Sequence, residues 1–199
     1  MTLKHDPARP HPAWAWALPC ALLGTGSAAV WHLGLSDALA WQSDTWVRQP
    51  WRLWTASLVH LSGAHLLGNM AALFVLAILG ASLNAGRPAA LALLASWPLS
   101  TMTLLFWPEV AGYSGLSGLL CAMLGILWVH AALQAGGRAV SWVLLVSMGT
   151  KLLSEHAWSQ PIGYDPNWGF NVVYAAHLGG FACGAVCGAA AAWRTAAQK

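Results

Sequence analysis

Six long apolar stretches, each nearly free of charged residues, dominate this chain and leave it very few possible folds. Bounded by Gly, Pro and Asn breakers, they run near residues 14–33, 64–83, 89–107, 117–133, 140–153 and 172–193, the fifth being the shortest. A helix needs about 20 apolar residues to cross a hydrocarbon core roughly 30 Å thick, and most of the stretches approach that length. Charged residues make up only 8% of the chain, against about 25% in an ordinary soluble domain, so a water-facing surface cannot be built from it. In hydrocarbon the backbone must satisfy its own hydrogen bonds, which helices do within each segment. The expected fold is therefore all-α, a polytopic membrane protein built as a six-transmembrane-helix bundle. The six spans and their short joins use up the 199 residues, so residues 1–199 read as a single membrane domain.

The charges orient the bundle. With both termini cytoplasmic, Lys4, Arg9, Arg87, Arg138, Arg194 and Lys199 lie inside, while Asp37, Asp44, Glu109, Glu155 and Asp165 lie outside. Arg48, Arg52 and Lys151 are the outside exceptions. The basic start and the small residues Ser27, Ala28 and Ala29 resemble a cleavable signal, but the stretch runs on to Trp31 and Leu33 and reads as a retained first span. The net charge of +3 is scattered, unlike the clustered basic face of a nucleic-acid binder, so that class is set aside. Cys20, Cys121, Cys183 and Cys187 all fall in apolar stretches, where thiols pack as small hydrophobes. No disulfide framework, metal site or cofactor is indicated.

Polar groups at membrane depth are costly and tend to be kept for function. Ser117 stands at the start of the fourth stretch, in Gly112-Tyr113-Ser114-Gly115-Leu116-Ser117-Gly118, and His177 lies inside the sixth. A helix start presents unpaired N–H groups and a positive dipole end, which suits a nucleophile and the oxyanion it generates. Gly115 and Gly118 permit a sharp turn and a close neighbouring helix. An imidazole can take the serine proton and return it to a leaving amine. The alternatives are a plain helix cap for Ser117 and a helix-to-helix hydrogen bond for His177. On the second stretch, His65 and Asn69 are four apart, about 40° on a helix, and can donate hydrogen bonds together, whereas His60 points elsewhere. No carboxylate completes a metal ligand set there. A small transporter or channel would need ionisable residues along its spans, and apart from this site and His130, placed near a cytoplasmic helix end, there are almost none. The first loop, residues 35–62, carries Trp41, Trp46, Trp51 and Trp54 and is expected to lie in the outer interface as anchor or as an element shaping access.

Taken together these motifs resemble the rhomboid family of intramembrane serine proteases. Trp51-Arg52 in the first loop, His60, His65 and Asn69 around the second helix, Gly115-Leu116-Ser117-Gly118 on the fourth and Ala176-His177-Leu178-Gly179-Gly180 on the sixth carry the resemblance, in order and across most of the chain. It implies a rhomboid-like bundle with Ser117 as nucleophile and His177 as general base and acid. It further implies an oxyanion hole from His65, Asn69 and the Ser117 N–H, with structural support from Trp51, Arg52, His60, Gly115 and Gly118. Many relatives carry an aromatic residue or histidine four positions after the serine, stacked near the histidine; here that position is Cys121, so His177 must be oriented from elsewhere.

The compact size and Lys151-Leu152-Leu153-Ser154-Glu155 are similar to the rhombosortase subfamily, although an i,i+4 ion pair near a helix end also accounts for Lys151 and Glu155. The narrower resemblance implies a multi-pass protein of the bacterial inner membrane whose site opens to the periplasmic side. Its substrates would be exported proteins ending in a Gly-Gly segment, a transmembrane helix and a basic tail. The implied partners are transmembrane protein substrates and lipid, with no metal and no nucleic acid. A general rhomboid protease of other single-span substrates, and a non-catalytic rhomboid-like client-binding protein, are the alternatives. Glycine near the cut would ease unwinding of the substrate helix, and the Trp-rich loop is expected to act as a lateral wedge in the lipid.

Overall fold

Each apolar stretch folds as a helix whose ends are set by local chemistry. The computed structural model describes residues 13–197, so Lys4, Arg9 and Lys199 lie outside the described residues. Six long helices follow in order: α1 Ala13–Leu33, α2 Gly63–Ser82, α3 Arg87–Met102, α4 Ser117–Ala132, α5 Arg138–Glu155 and α6 Tyr174–Ala197. At the start of α2, the Ser62 hydroxyl accepts the His65 N–H at 3.1 Å as an N-cap. At its end Asn84 adopts φ 54°, a left-handed turn that asparagine tolerates, and the Ala85 N–H returns to the Gly80 carbonyl at 2.8 Å. Pro88 then sits in the first turn of α3, where its missing N–H costs nothing. His130 of α4 and Gln134 just beyond its end close over the Leu83 carbonyl at 3.0 and 2.7 Å.

By length and composition Gly63–Ser82, Arg87–Phe106 and Tyr174–Ala197 can each cross a membrane. The large side chains left outward are apolar, among them Phe74, Val75 and Ile78 of α2 and Trp142, Val143 and Val146 of α5. Such a surface belongs in lipid, not in water. The chain is an all-α polytopic membrane bundle.

At its centre stands α4, apolar all round and buried along most of its length, because protein and not lipid encloses it. Its 16 residues span about 24 Å at 1.5 Å per residue, less than the hydrocarbon thickness, so the helix is too short to reach both faces of it. The most extensive seam in the molecule joins α4 to α6. Added Cβ atoms at Gly180 and Gly184 would fall on the Gly118 and Ala122 carbonyls, and one at Gly125 on the backbone of Phe181 and Ala185. The two helices meet backbone to backbone along a stripe of glycines four residues apart.

Three features depart from the sequence expectations. The fifth helix, expected to be the shortest at 140–153, runs over 18 residues to Glu155 and outlasts both α3 and α4. Two short antiparallel pairs, β1 Trp41–Gln42 with β2 Gly112–Tyr113 and β3 Gly163–Asp165 with β4 Phe170–Val172, form outside the helices. Of the four tryptophans assigned to the interface, Trp41 is fully buried and Trp46 packs on the same inner cluster, whereas Trp51 and Trp54 remain about half exposed.

Candidate active site

The up-and-down course of the chain brings four helix ends to one side. α2, α4 and α6 begin there and α5 ends there, so His65, Asn69, Ser117, Glu155 and His177 surround one cavity of about 890 Å³. From this cluster the cavity follows α2 down to Leu79 and faces Leu144 of α5, a run of roughly 21 Å at 1.5 Å per residue. α2 and α5 share no packed seam, and outward-facing Val75 lies on its edge, so the groove reaches the lipid-facing surface.

Ser117 is the first residue of α4, and the turn before it is held from two sides. The buried Tyr113 hydroxyl donates to the Gly115 carbonyl at 2.6 Å and accepts the Gly118 N–H at 3.1 Å. Burial pushes the Tyr113 phenol pKa above its ordinary value, so it stays a neutral donor and acceptor. From the first loop, the Ala56 carbonyl takes the Gly115 N–H at 3.0 Å, and β1 pairs Trp41 with Tyr113. Gly115 has φ +133°, a region side chains avoid, and a Cβ there would stand 3.0 Å from the His65 ring. Arg52, 8% exposed, ties the loop together by donating to the Ala40 and Asp37 carbonyls at 2.8 and 3.3 Å. Trp51 contributes its carbonyl to that turn, its ring facing outward. The sequence marks out no role for Tyr113, because a tyrosine beside a glycine turn has no distinctive spacing. Tyr113→Phe is expected to cost about 1–2 kcal/mol through the two hydrogen bonds it removes, read as a lower midpoint of thermal unfolding in detergent.

Across the α4–α6 seam, the His177 Nε2 lies 3.0 Å from the Ser117 Oγ. Its Nδ1 lies 2.8 Å from the Glu155 Oε2. A carboxylate can only accept, so Nδ1 carries the proton and Nε2 presents its lone pair to the hydroxyl. The other Glu155 oxygen meets the Lys151 Nζ at 2.5 Å. The i,i+4 ion pair is therefore present, and Glu155 also reaches the imidazole, a contact that spacing along α5 does not reveal. Cys121 is buried one turn below Ser117 and supplies no ring to His177.

Facing this chain of groups are two further donors. His65 Nδ1 accepts the Leu61 N–H at 3.4 Å, which leaves Nε2 as the protonated nitrogen, on the side of Gly115 and Ser117. Asn69 lines the same cavity, and its buried Nδ2 has no acceptor among the described residues. His60 lies behind, 2% exposed, its Nδ1 donating to the Leu58 carbonyl at 3.2 Å and its ring edge-on to His65 at 5.0 Å. Burial outweighs that hydrogen bond and holds the His60 pKa below its ordinary value, so the ring is neutral.

Over the mouth lies the β3–β4 hairpin. Phe170 and Trp168 lie tilted against His65 at 5.0 and 5.8 Å between ring centroids, and Trp168 also rests on Gly68. This cover was missed, although Asp165-Pro166-Asn167-Trp168-Gly169 between alternating flanks is a hairpin signal. Asp165 accepts the Asn167 N–H at 2.9 Å to form the turn, which Gly169 closes at φ +75°. Among the described residues no group of three or more His, Cys, Asp or Glu is placed to hold a metal ion.

Residues 47–194 match the Rhomboid domain family. No curated protein matches the chain. The family match covers the first-loop turn, α2 to α5 and most of α6, and so every residue of the cavity cluster.

Proposed function

The chain belongs to the rhomboid family, and from that premise we propose that it is an intramembrane serine endopeptidase, with Ser117 as nucleophile and His177 as general base and acid. The observation that carries this reading is the 3.0 Å approach of His177 Nε2 to Ser117 Oγ at the head of a helix-long apolar groove. A substrate helix would enter between α2 and α5 from the lipid, and its upper turn would unwind to bring a carbonyl to Ser117. Attack passes the hydroxyl proton to Nε2. The new O⁻ is received by the Ser117 N–H, which as the first N–H of its helix has no intrahelical acceptor, together with Asn69 Nδ2 and His65 Nε2–H. Collapse returns the proton to the leaving amine, and water from the outer side repeats the cycle on the acyl-enzyme.

The unpartnered Asn69 amide favours the oxyanion role, since a buried donor without an acceptor is costly unless function requires it. Asn69→Ala is accordingly expected to lower kcat by about 10²–10³-fold with a much smaller change in KM, as measured on a quenched transmembrane peptide. A rise in KM with kcat unchanged would instead assign Asn69 to substrate binding.

Within the family, we favour the rhombosortase-like role: removal of a C-terminal Gly-Gly and transmembrane sorting segment from exported proteins at the bacterial inner membrane, with termini cytoplasmic and the site open to the periplasm. Ser117, at the head of a helix too short to reach both faces, fits a cut at helix-breaking residues just inside the outer interface. The test uses membranes holding the protein and two reporters, one ending in Gly-Gly, an apolar helix and a basic tail, the other a single-span substrate without glycines. Mass spectrometry of the product ends should find the first reporter cut beside its glycines. Cutting of the second alone would leave a general rhomboid protease, and cutting of neither would leave a client-binding role.

A further inference from the structure

A Ser–His pair acts only if the imidazole keeps its lone pair toward the serine through the whole cycle. His177 sits on α6 among small residues, with Ala176 before it and Gly179 and Gly180 after it, and these side chains offer its ring no polar partner. Tyr174 lies tilted at 6.3 Å and does not stack, and Cys121 occupies the place where a ring would otherwise be offered. What holds His177 is a carboxylate from a third helix.

We infer that Glu155, held by Lys151 at the end of α5, is a positioning residue for His177 and makes this site a serine–histidine–glutamate relay. The inference rests on the protease reading above and adds a group to it. Its geometry is complete: Lys151 Nζ to Glu155 Oε1 at 2.5 Å, Glu155 Oε2 to His177 Nδ1 at 2.8 Å and His177 Nε2 to Ser117 Oγ at 3.0 Å. The Glu155 side chain is 14% exposed and that of His177 3%, so the bond between them is little weakened by solvent.

The proton accounting closes without any further reactant. Ser117 gives its proton to Nε2 as the Oγ–C bond forms, and the resulting imidazolium is doubly protonated beside an ionised Glu155. Glu155 keeps its charge throughout; it accepts the Nδ1–H and stabilises the cation that appears. His177 then delivers the Nε2 proton to the amine as the C–N bond breaks. Lys151 supplies the counter-charge without which a carboxylate this deep would be expensive to keep ionised. Because Lys151 and Glu155 are one helical turn apart, the pair forms within α5 itself and needs no other helix.

The test measures the rate at which a fluorophosphonate labels Ser117 in the full-length, membrane-embedded protein. Wild type, Glu155→Gln, Glu155→Ala and Ser117→Ala are compared, with thermal unfolding midpoints recorded beside each. Both Glu155 variants are expected to label on the order of 10²-fold more slowly or worse. Added formate, which can enter the cavity and replace the lost carboxylate, should restore part of the rate to Glu155→Ala and none to Ser117→Ala. Labelling of both Glu155 variants within about twofold of wild type, or a folded but slow Glu155→Ala that formate does not rescue, overturns the inference and leaves the protease reading standing. If Glu155→Ala does not fold, the near-isosteric Glu155→Gln decides by its rate alone. Failure of wild type itself to label overturns both readings together.

Discussion

Ser117→Ala is expected to abolish covalent labelling and to reduce cleavage of any transmembrane reporter by on the order of 10⁴-fold or more, with no loss of stability. The physical reason lies in how little else at the site can attack a carbonyl. Water is weakly nucleophilic and has no pre-set place at His177 Nε2, whereas the Ser117 Oγ is already at 3.0 Å on a pinned turn. Removing one hydroxyl leaves the α4 backbone, the Tyr113 clamp and the glycine seam unchanged, so the thermal midpoint should stay within about a degree or two of wild type. The decisive comparison is therefore activity against midpoint in the same preparation. Residual cutting within tenfold of wild type would mean that Ser117 is not the nucleophile, whatever its distance to His177.

Gly184→Leu should have the largest effect on the fold itself. A side chain there meets the Ala122 carbonyl, a backbone group that cannot turn aside, and so α4 and α6 must part. Overpacking of this kind costs about 3 kcal/mol or more, and since α4 carries Ser117 and α6 carries His177, separation also pulls the two apart. Loss of the folded protein from detergent extracts, or a large fall in thermal midpoint, is the expected result; a normal midpoint would show that the seam can relax. Gly149 on α5 supplies the contrast, because nothing lies within 4 Å of the Cβ it lacks. Gly149→Ala removes only backbone freedom and should stabilise by about 0.5–1 kcal/mol. Two glycines in one molecule are thus expected to respond with opposite signs for a reason visible only in the packing.

The helices were legible because an apolar run between breakers is read segment by segment. The run 64–83 became Gly63–Ser82, shifted by one residue at each end, and the run 117–133 became Ser117–Ala132, shorter by one residue at its end. Hydrocarbon permits few alternatives for an apolar run, so its length and its breakers nearly decide its structure. The fifth helix ran further than read because Lys151 and Glu155 look like a boundary yet neutralise each other within the last turn. The two strand pairs were not read because each is short and draws its stability from what it touches: β1 from Tyr113 beside the turn before Ser117, β3 and β4 from His65 and Tyr174 beneath them.

Among the site residues the same division holds. Ser117, His177, His65 and Asn69 stood out because polar groups in an apolar helix are conspicuous whatever their neighbours are. Their arrangement was not conspicuous, and neither were Tyr113, Phe170, Trp168 or the second partner of Glu155. The chain by itself determined which segments form apolar helices, since that depends on the length and composition of each run and on little beyond it. Only the tertiary structure decided that Glu155 faces His177 and that His177 faces Ser117. Those contacts join residues 22 and 60 positions apart. The second is set by how closely α4 and α6 approach, a distance permitted by the missing side chains of Gly125, Gly180 and Gly184.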